Sequence, residues 1–260
     1  MQGYIHVCQK GPWYLSWAIM LPYLLKDTSL MSRTQILHVC IVTHEEPCTT
    51  FVKTLQVRWP EVDIQVHVLG RPEVYERATL QFMRHQCASL KSPQNNLVWY
   101  MHTKGLRWFG TPFEPRILQW MLFLLHMLHV EGLKTYVEPM ELHKNWVAAG
   151  PDFREHSSIY GRCPHFAGNF WIARASYILE RPETIGPMYI DPEFWLLKDV
   201  DTNFIQEHVL TQGRSGLDHY QQTFYKTPDE YWTNFRSNRI QRDRTERPSE
   251  PRLAPASFLS

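Results

Sequence analysis

The sequence is poor in signals that fix a class at once, and each absence narrows the field. Its five cysteines, Cys8, Cys40, Cys48, Cys87 and Cys163, are odd in number, widely spaced and form no C-x-x-C pair. That spacing argues against a disulfide framework and a zinc site and favours reduced thiols. No uninterrupted apolar run approaches the about 18–20 residues of a membrane helix. The first residues carry no cationic stretch leading into a hydrophobic core, so no secretory signal is expected and a cytoplasmic location is. Net charge is only +1, too little to suggest nucleic acid or an anionic membrane as partner. G-x-G-x-x-G, a Walker-type loop, G-x-S-x-G and H-E-x-x-H are all missing despite 13 histidines. These gaps weaken dehydrogenase, kinase, serine-hydrolase and zinc-protease readings in turn.

What is present is an ordinary globular composition, 43% hydrophobic and 20% charged, with many aromatics: Trp 10, Tyr 12 and Phe 13. Most such rings serve cores, and some make platforms for sugars or bases. Residues 4–8 predict a first strand, stopped by Gln9-Lys10-Gly11-Pro12. Helical spacing follows over 13–25. A continuous apolar run at 36–42 predicts a strand buried on both faces. A helix over 49–57, a strand over 62–69, a helix over 73–90 and a strand over 97–101 complete the first half. Strands alternating with helices imply an α/β fold with a mainly parallel central sheet flanked by helices. Ligands of open sheets bind beyond the carboxyl ends of the strands, which gathers Gln9–Lys10, 43–46 and 102–104 around one crevice.

The second half predicts a helix over 115–128 and a short strand near 146–149. A strand over 166–174 passes into a helix over 175–179, and helices follow near 192–198 and 201–210. From 236 to 260 the chain is rich in Arg, Pro and Ser with few apolar residues, which predicts a flexible tail behind a domain spanning 1–235.

Three blocks carry candidate chemistry. Val98-Trp99-Tyr100-Met101-His102-Thr103-Lys104-Gly105 delivers His, Thr and Lys from an apolar strand to the sheet edge, where cations can meet a diphosphate. A solvated strand-to-loop junction explains the same residues. His165-Phe166-Ala167-Gly168-Asn169-Phe170-Trp171 joins a glycine and an amide to aromatic faces, suited to sugar hydroxyls and C–H groups. A tight turn into a core strand is the alternative. Asp191-Pro192-Glu193-Phe194-Trp195 places carboxylates at a helix start, as a general base or simply as a cap. Asp199-Val200-Asp201 lies amid helical pattern and reads as an accident of sequence or a helix cap.

In this order the blocks resemble a family of glycosyltransferases with a GT-A-like, Rossmann-like fold, found in bacteria, algae and large viruses. Shared features are the Tyr4-Ile5-His6-Val7 strand, a Gly-Pro-Trp turn, the 36–42 strand, Tyr75-Glu76…Thr79-Leu80, the "YxHTKG" and "HFxGNFW" blocks, and Pro192-Glu193-Phe194-Trp195. The resemblance covers roughly residues 3 to 210. It implies a UDP- or GDP-linked sugar as donor and a glycan or other hydroxyl as acceptor. Donor-binding residues would be His6, Gln9, Thr43, Glu76, Thr79, His102, Thr103, Lys104 and Gly105. His165, Gly168, Asn169, Phe170, Trp171 and Trp195 would bind the acceptor and sugar, with Glu193, or else Asp191, as base. The Asp-x-Asp motif that many GT-A enzymes carry for Mn²⁺ or Mg²⁺ is replaced by His102-Thr103-Lys104, so no metal is required by the sequence. The aromatic and Pro-containing stretch 108–115 would shape acceptor choice or cover the donor. An inactive carbohydrate- or nucleotide-binding module on the same fold is one rival. A metal hydrolase using scattered histidines with Asp199 and Asp201 is the other.

Overall fold

The computed structural model describes residues 1–103, 109–157, 161–201, 204–205 and 209–211. They lie in the first of two units, Met1–Leu217; the second, Asp218–Ser260, falls outside the described residues, as does the tail expected over 236–260.

The first half follows from apolar strands buried on both sides. β1 (Gln2–Gln9), β2 (Ile36–Thr43) and β4 (Leu97–His102) are almost wholly buried, and β3 (Asp63–Gly70) is a partly exposed edge. Three more strands, β5 (Ala148–Gly150), β8 (Trp171–Arg174) and β9 (Val209–Thr211), complete a seven-stranded sheet of order β3-β2-β1-β4-β8-β5-β9. β8 alone runs against its neighbours, β4 and β5. A separate antiparallel pair, β6 (Phe153–Ser157) and β7 (Gly161–Phe166), stands beside it.

Residues alternate across β4 and divide the core in two. Tyr100 and Val98 join Tyr4 beneath α3 (Arg77–Ala88) and α6 (Ala175–Glu180), which pack on one another. Trp99 and Met101 face the other way, toward His129. That residue lies in a π-helical stretch, His126–Val130, which continues α4 (Glu114–Leu125) and packs with it against α1 (Trp13–Leu24). Trp99 reaches its place only because residue 3 is glycine: a Cβ there would lie 2.2 Å from the indole.

Several sequence expectations are corrected. The helix expected over 73–90 is a 3₁₀ turn, Pro72–Val74, then Tyr75 with φ +50°, and only then α3. The strand expected over 166–174 is β7, a turn, and β8. The turn reverses the chain through Gly168 at φ +88° and Asn169 at φ +57°, conformations those two residue types accept most readily. Residues 201–210 contain strand β9 rather than one helix, because β5 offers an edge with which to pair. Helical structure also extends past 128, through Leu133–Val137 and α5 (Glu138–Leu142).

Candidate functional site

The sheet order sets the place of the site. From β1 the chain moves outward to β2 and β3, then returns to the other side of β1 with β4. Between β1 and β4 the connections diverge, leaving a crevice beyond their carboxyl ends. A cleft of about 520 Å³ lies there, lined by His6 and Cys8 in the last part of β1 and Lys10 just after it, and by His102 at the end of β4 and Thr103 after it. Glu73, Tyr75 and Glu76 enter from the segment before α3. Trp120 enters from α4, and Tyr189 and Glu193 come from around α7 (Asp191–Phe194).

The two strand ends are tied together. Thr103 N–H donates to the His6 carbonyl (2.9 Å), and its hydroxyl accepts from Cys8 N–H (3.0 Å). Burial and the neighbouring His102 push the His6 imidazole down to about 4, against the opposing pull of Glu76. Its Nδ1 lies 2.9 Å from the Thr79 hydroxyl, so Thr79 supports His6 from behind instead of entering the cleft.

The hub is the turn between β7 and β8. Gly168 N–H donates to Glu193 Oε1 at 2.5 Å, and the Gly168 carbonyl lies 2.9 Å from His102 Nε2. A carbonyl only accepts, so that Nε2 carries the proton. His102 Nδ1 then points at Glu76 Oε1, 3.5 Å away. Asn169 is fixed by similar logic. Trp171 Nε1 can only donate, so the Asn169 oxygen faces it (2.7 Å) and the amide nitrogen donates to Glu76 Oε2 (2.5 Å). Tyr100 O–H donates to the same Glu76 oxygen at 2.9 Å. Two consecutive residues of one turn, Gly168 and Asn169, thus hold two carboxylates and an imidazole.

Glu76 is the N-cap of α3, yet its carboxylate makes no capping bond to the helix amides; it is turned into this cluster. Tyr75 beside it adopts φ +50° and ψ −146°, a conformation that costs a non-glycine residue about 1–3 kcal/mol.

The two candidate bases part company. Glu193 faces the cleft, whereas Asp191 lines a second cavity of about 380 Å³ and accepts from Met188 N–H at 2.6 Å. Asp191 is a loop anchor.

Other residues singled out in the sequence lie elsewhere. The Gln9 amide grips both backbone groups of Cys48 (2.6 and 3.0 Å) and holds the loop after β2. The Thr43 hydroxyl accepts from Glu45 N–H at 3.1 Å, and neither Gln9 nor Thr43 lines the cleft. His165 donates to the Cys163 carbonyl (2.8 Å) and packs edge-on against Phe194; burial lowers its pKa. Phe170, Trp171 and Trp195 are only 1–2% exposed, so their rings serve the core, contrary to the sugar-facing role expected. Asn169 likewise spends both ends of its amide inside the protein. Lys104 and Gly105 lie outside the described residues, as does the start of the 108–115 stretch.

Sequence reasoning gave no role to Tyr100, which it met only as part of the "YxHTKG" block, and did not meet Tyr189 or Trp120 at all. Tyr100 was legible in principle, since it shares a face of β4 with His102. Tyr189 and Trp120 come from distant segments and carry no local signal. Asp201 caps the turn at 204–205, accepting from Phe204 N–H at 2.7 Å. Among the described residues no group of three or more His, Cys, Asp or Glu is arranged to hold a metal ion, and no helix is long and apolar enough to cross a membrane. No family model matches the sequence, and no curated protein matches it.

Proposed function

We propose that the protein is a glycosyltransferase of GT-A-like fold that moves a sugar from a UDP- or GDP-linked donor to a hydroxyl of a glycan or similar acceptor, acting in the cytoplasm. The observation that carries the proposal is the turn at 167–170, which holds Glu193, Glu76 and His102 together at the crevice between β1 and β4.

Each step follows from a group in the cleft. Glu193 accepts the proton of the acceptor hydroxyl as its oxygen attacks the anomeric carbon. The bond from that carbon to the diphosphate breaks, and the nucleoside diphosphate departs with the electron pair. Lys10 lies at the cleft wall, where Gly11 and Pro12 lead into α1, so cationic charge and a helix start meet the leaving phosphates from one side. His102 approaches from the other, and Lys104, two residues later in the chain, adds charge in this reading. Mn²⁺ or Mg²⁺ is not required by this arrangement.

Thermal stabilisation by nucleoside diphosphates and their sugars, each with Mn²⁺ and with EDTA, tests the reading. A ligand at about 100 times its Kd adds about 2.7 kcal/mol, a shift of a few degrees. A shift with one nucleotide class that survives EDTA is expected. No shift with any of them would remove the donor and leave a module without catalysis.

A further inference from the structure

The aromatic rings that the sequence offered to a sugar are buried, and the cleft presents others. Tyr75 and Tyr189 line its mouth, 38% and 58% exposed, with ring centroids 4.9 Å apart and planes at 85°.

Both rings are held in place. Tyr75 sits in its strained backbone conformation directly before Glu76. Tyr189 rides on a loop that Arg77 fastens to α3, donating from Nε to the Gly186 carbonyl at 2.6 Å and from its terminal nitrogen to the Met188 carbonyl. The Asp191 carboxylate closes the loop from inside. It fits only because residue 186 is glycine, where a Cβ would lie 2.3 Å from Asp191 Oδ2. The Arg77 guanidinium also stands 5.6 Å from the Tyr75 ring.

We propose that Tyr75 and Tyr189 are the platform for the acceptor, and that the acceptor presents an uncharged sugar ring to it. This rests on the transferase reading given above. The position of the pair decides the class of ligand. Glu76 and Glu193 line the same cleft as the two rings, so a ring resting on the tyrosines shares that cleft with two carboxylates. A phosphate-bearing group there meets like charge, whereas a neutral sugar offers C–H faces to the tyrosines and hydroxyls to the acids. The donor's phosphates then belong on the Lys10 side. Arg77 and Asp191 are positioning residues that act through the Tyr189 loop.

The test uses the full chain with Tyr75→Ala, Tyr189→Ala and the two Tyr→Phe variants. Binding of methyl glucoside, methyl galactoside, methyl mannoside, cellobiose, maltose and lactose is followed by saturation-transfer NMR with UDP or GDP present. Nucleotide affinity is measured separately by thermal shift. At least one saccharide is expected to bind the wild type and to lose about tenfold in affinity in each Ala variant, since aromatic contacts of this kind carry about that much. The Phe variants, which keep the ring, should stay within about threefold, and nucleotide affinity within about twofold. Unchanged saccharide binding in the Ala variants overturns the proposal. So does an equal loss of nucleotide affinity, which makes the pair a base platform, or a wild type that binds none of the sugars. Tyrosine-dependent saccharide binding without any nucleotide shift keeps the platform and defeats the transferase reading alone.

Discussion

Two buried histidines, one on each side of β4, show how the same side chain serves opposite ends. His129 stands against Trp99 and Met101. Its Nε2 lies 3.0 Å from the Met101 sulfur, which only accepts, so the proton is there and Nδ1 accepts from the Ser29 hydroxyl at 3.0 Å. Every partner is neutral and the site is sealed. A second proton would find no counter-charge, and burial pushes the imidazole down to about 3. His102 on the opposite face also donates from Nε2, to the Gly168 carbonyl, but its Nδ1 meets the Glu76 carboxylate and its edge lines the cleft. Neutral, closed partners make a structural histidine; a charged partner and an opening make one fit for chemistry.

The comparison can be broken most forcefully at the acid that His102 shares its turn with. Glu193→Gln keeps an oxygen for Gly168 N–H and removes the proposed base, so on the proposed reading turnover should fall about 10²–10⁴-fold while the melting temperature moves little. A steady-state assay beside a thermal melt checks both halves. Asn169→Ala strips a donor from Glu76 and an acceptor from Trp171, and should cost about 1–3 kcal/mol in denaturant unfolding. Activity should fall with it even under conditions where the variant is fully folded. His129→Leu is the counterpart on the sealed face: a loss of about 1–3 kcal/mol, with activity per folded molecule retained.

The last test is in pH. His6 and His38 are held at about 4 and His129 at about 3 in the native state, below the usual histidine value near 6.5. Between those values the unfolded chain binds protons that the folded chain refuses, so these groups make stability fall as pH drops below about 6.5. Each adds at most about 1.4 kcal/mol per pH unit, ending near pH 4 for His6 and His38 and near pH 3 for His129. Unfolding free energies measured from pH 7 to 4 should show this slope, and it should be shallower in His129→Leu.

Strands β1, β2 and β4 were readable because burial on both faces leaves apolar runs, as in residues 36–42, and the edge strand β3 was readable from its alternation. Failures came where one residue or one distant partner decides. Periodicity cannot see Tyr75 invert the backbone, nor Gly168 and Asn169 reverse it between Phe166 and Trp171, since the apolar residues continue across the turn. Strand β9 depends on pairing with β5, about 60 residues earlier in the chain. The site divides the same way. His102, Glu193 and the Gly168-Asn169 block were found as types at suggestive positions. Yet Asp191 and Glu193, two residues apart, face different cavities, and only the packing of α7 separates them.

The most direct test is release of nucleoside diphosphate from a panel of UDP- and GDP-linked sugars by the wild type and by Glu193→Gln. The account predicts release from one nucleotide class by the wild type and a loss of at least about 100-fold in the variant, with donor binding retained. Release at the same rate from both proteins, or from neither with any donor, would contradict it.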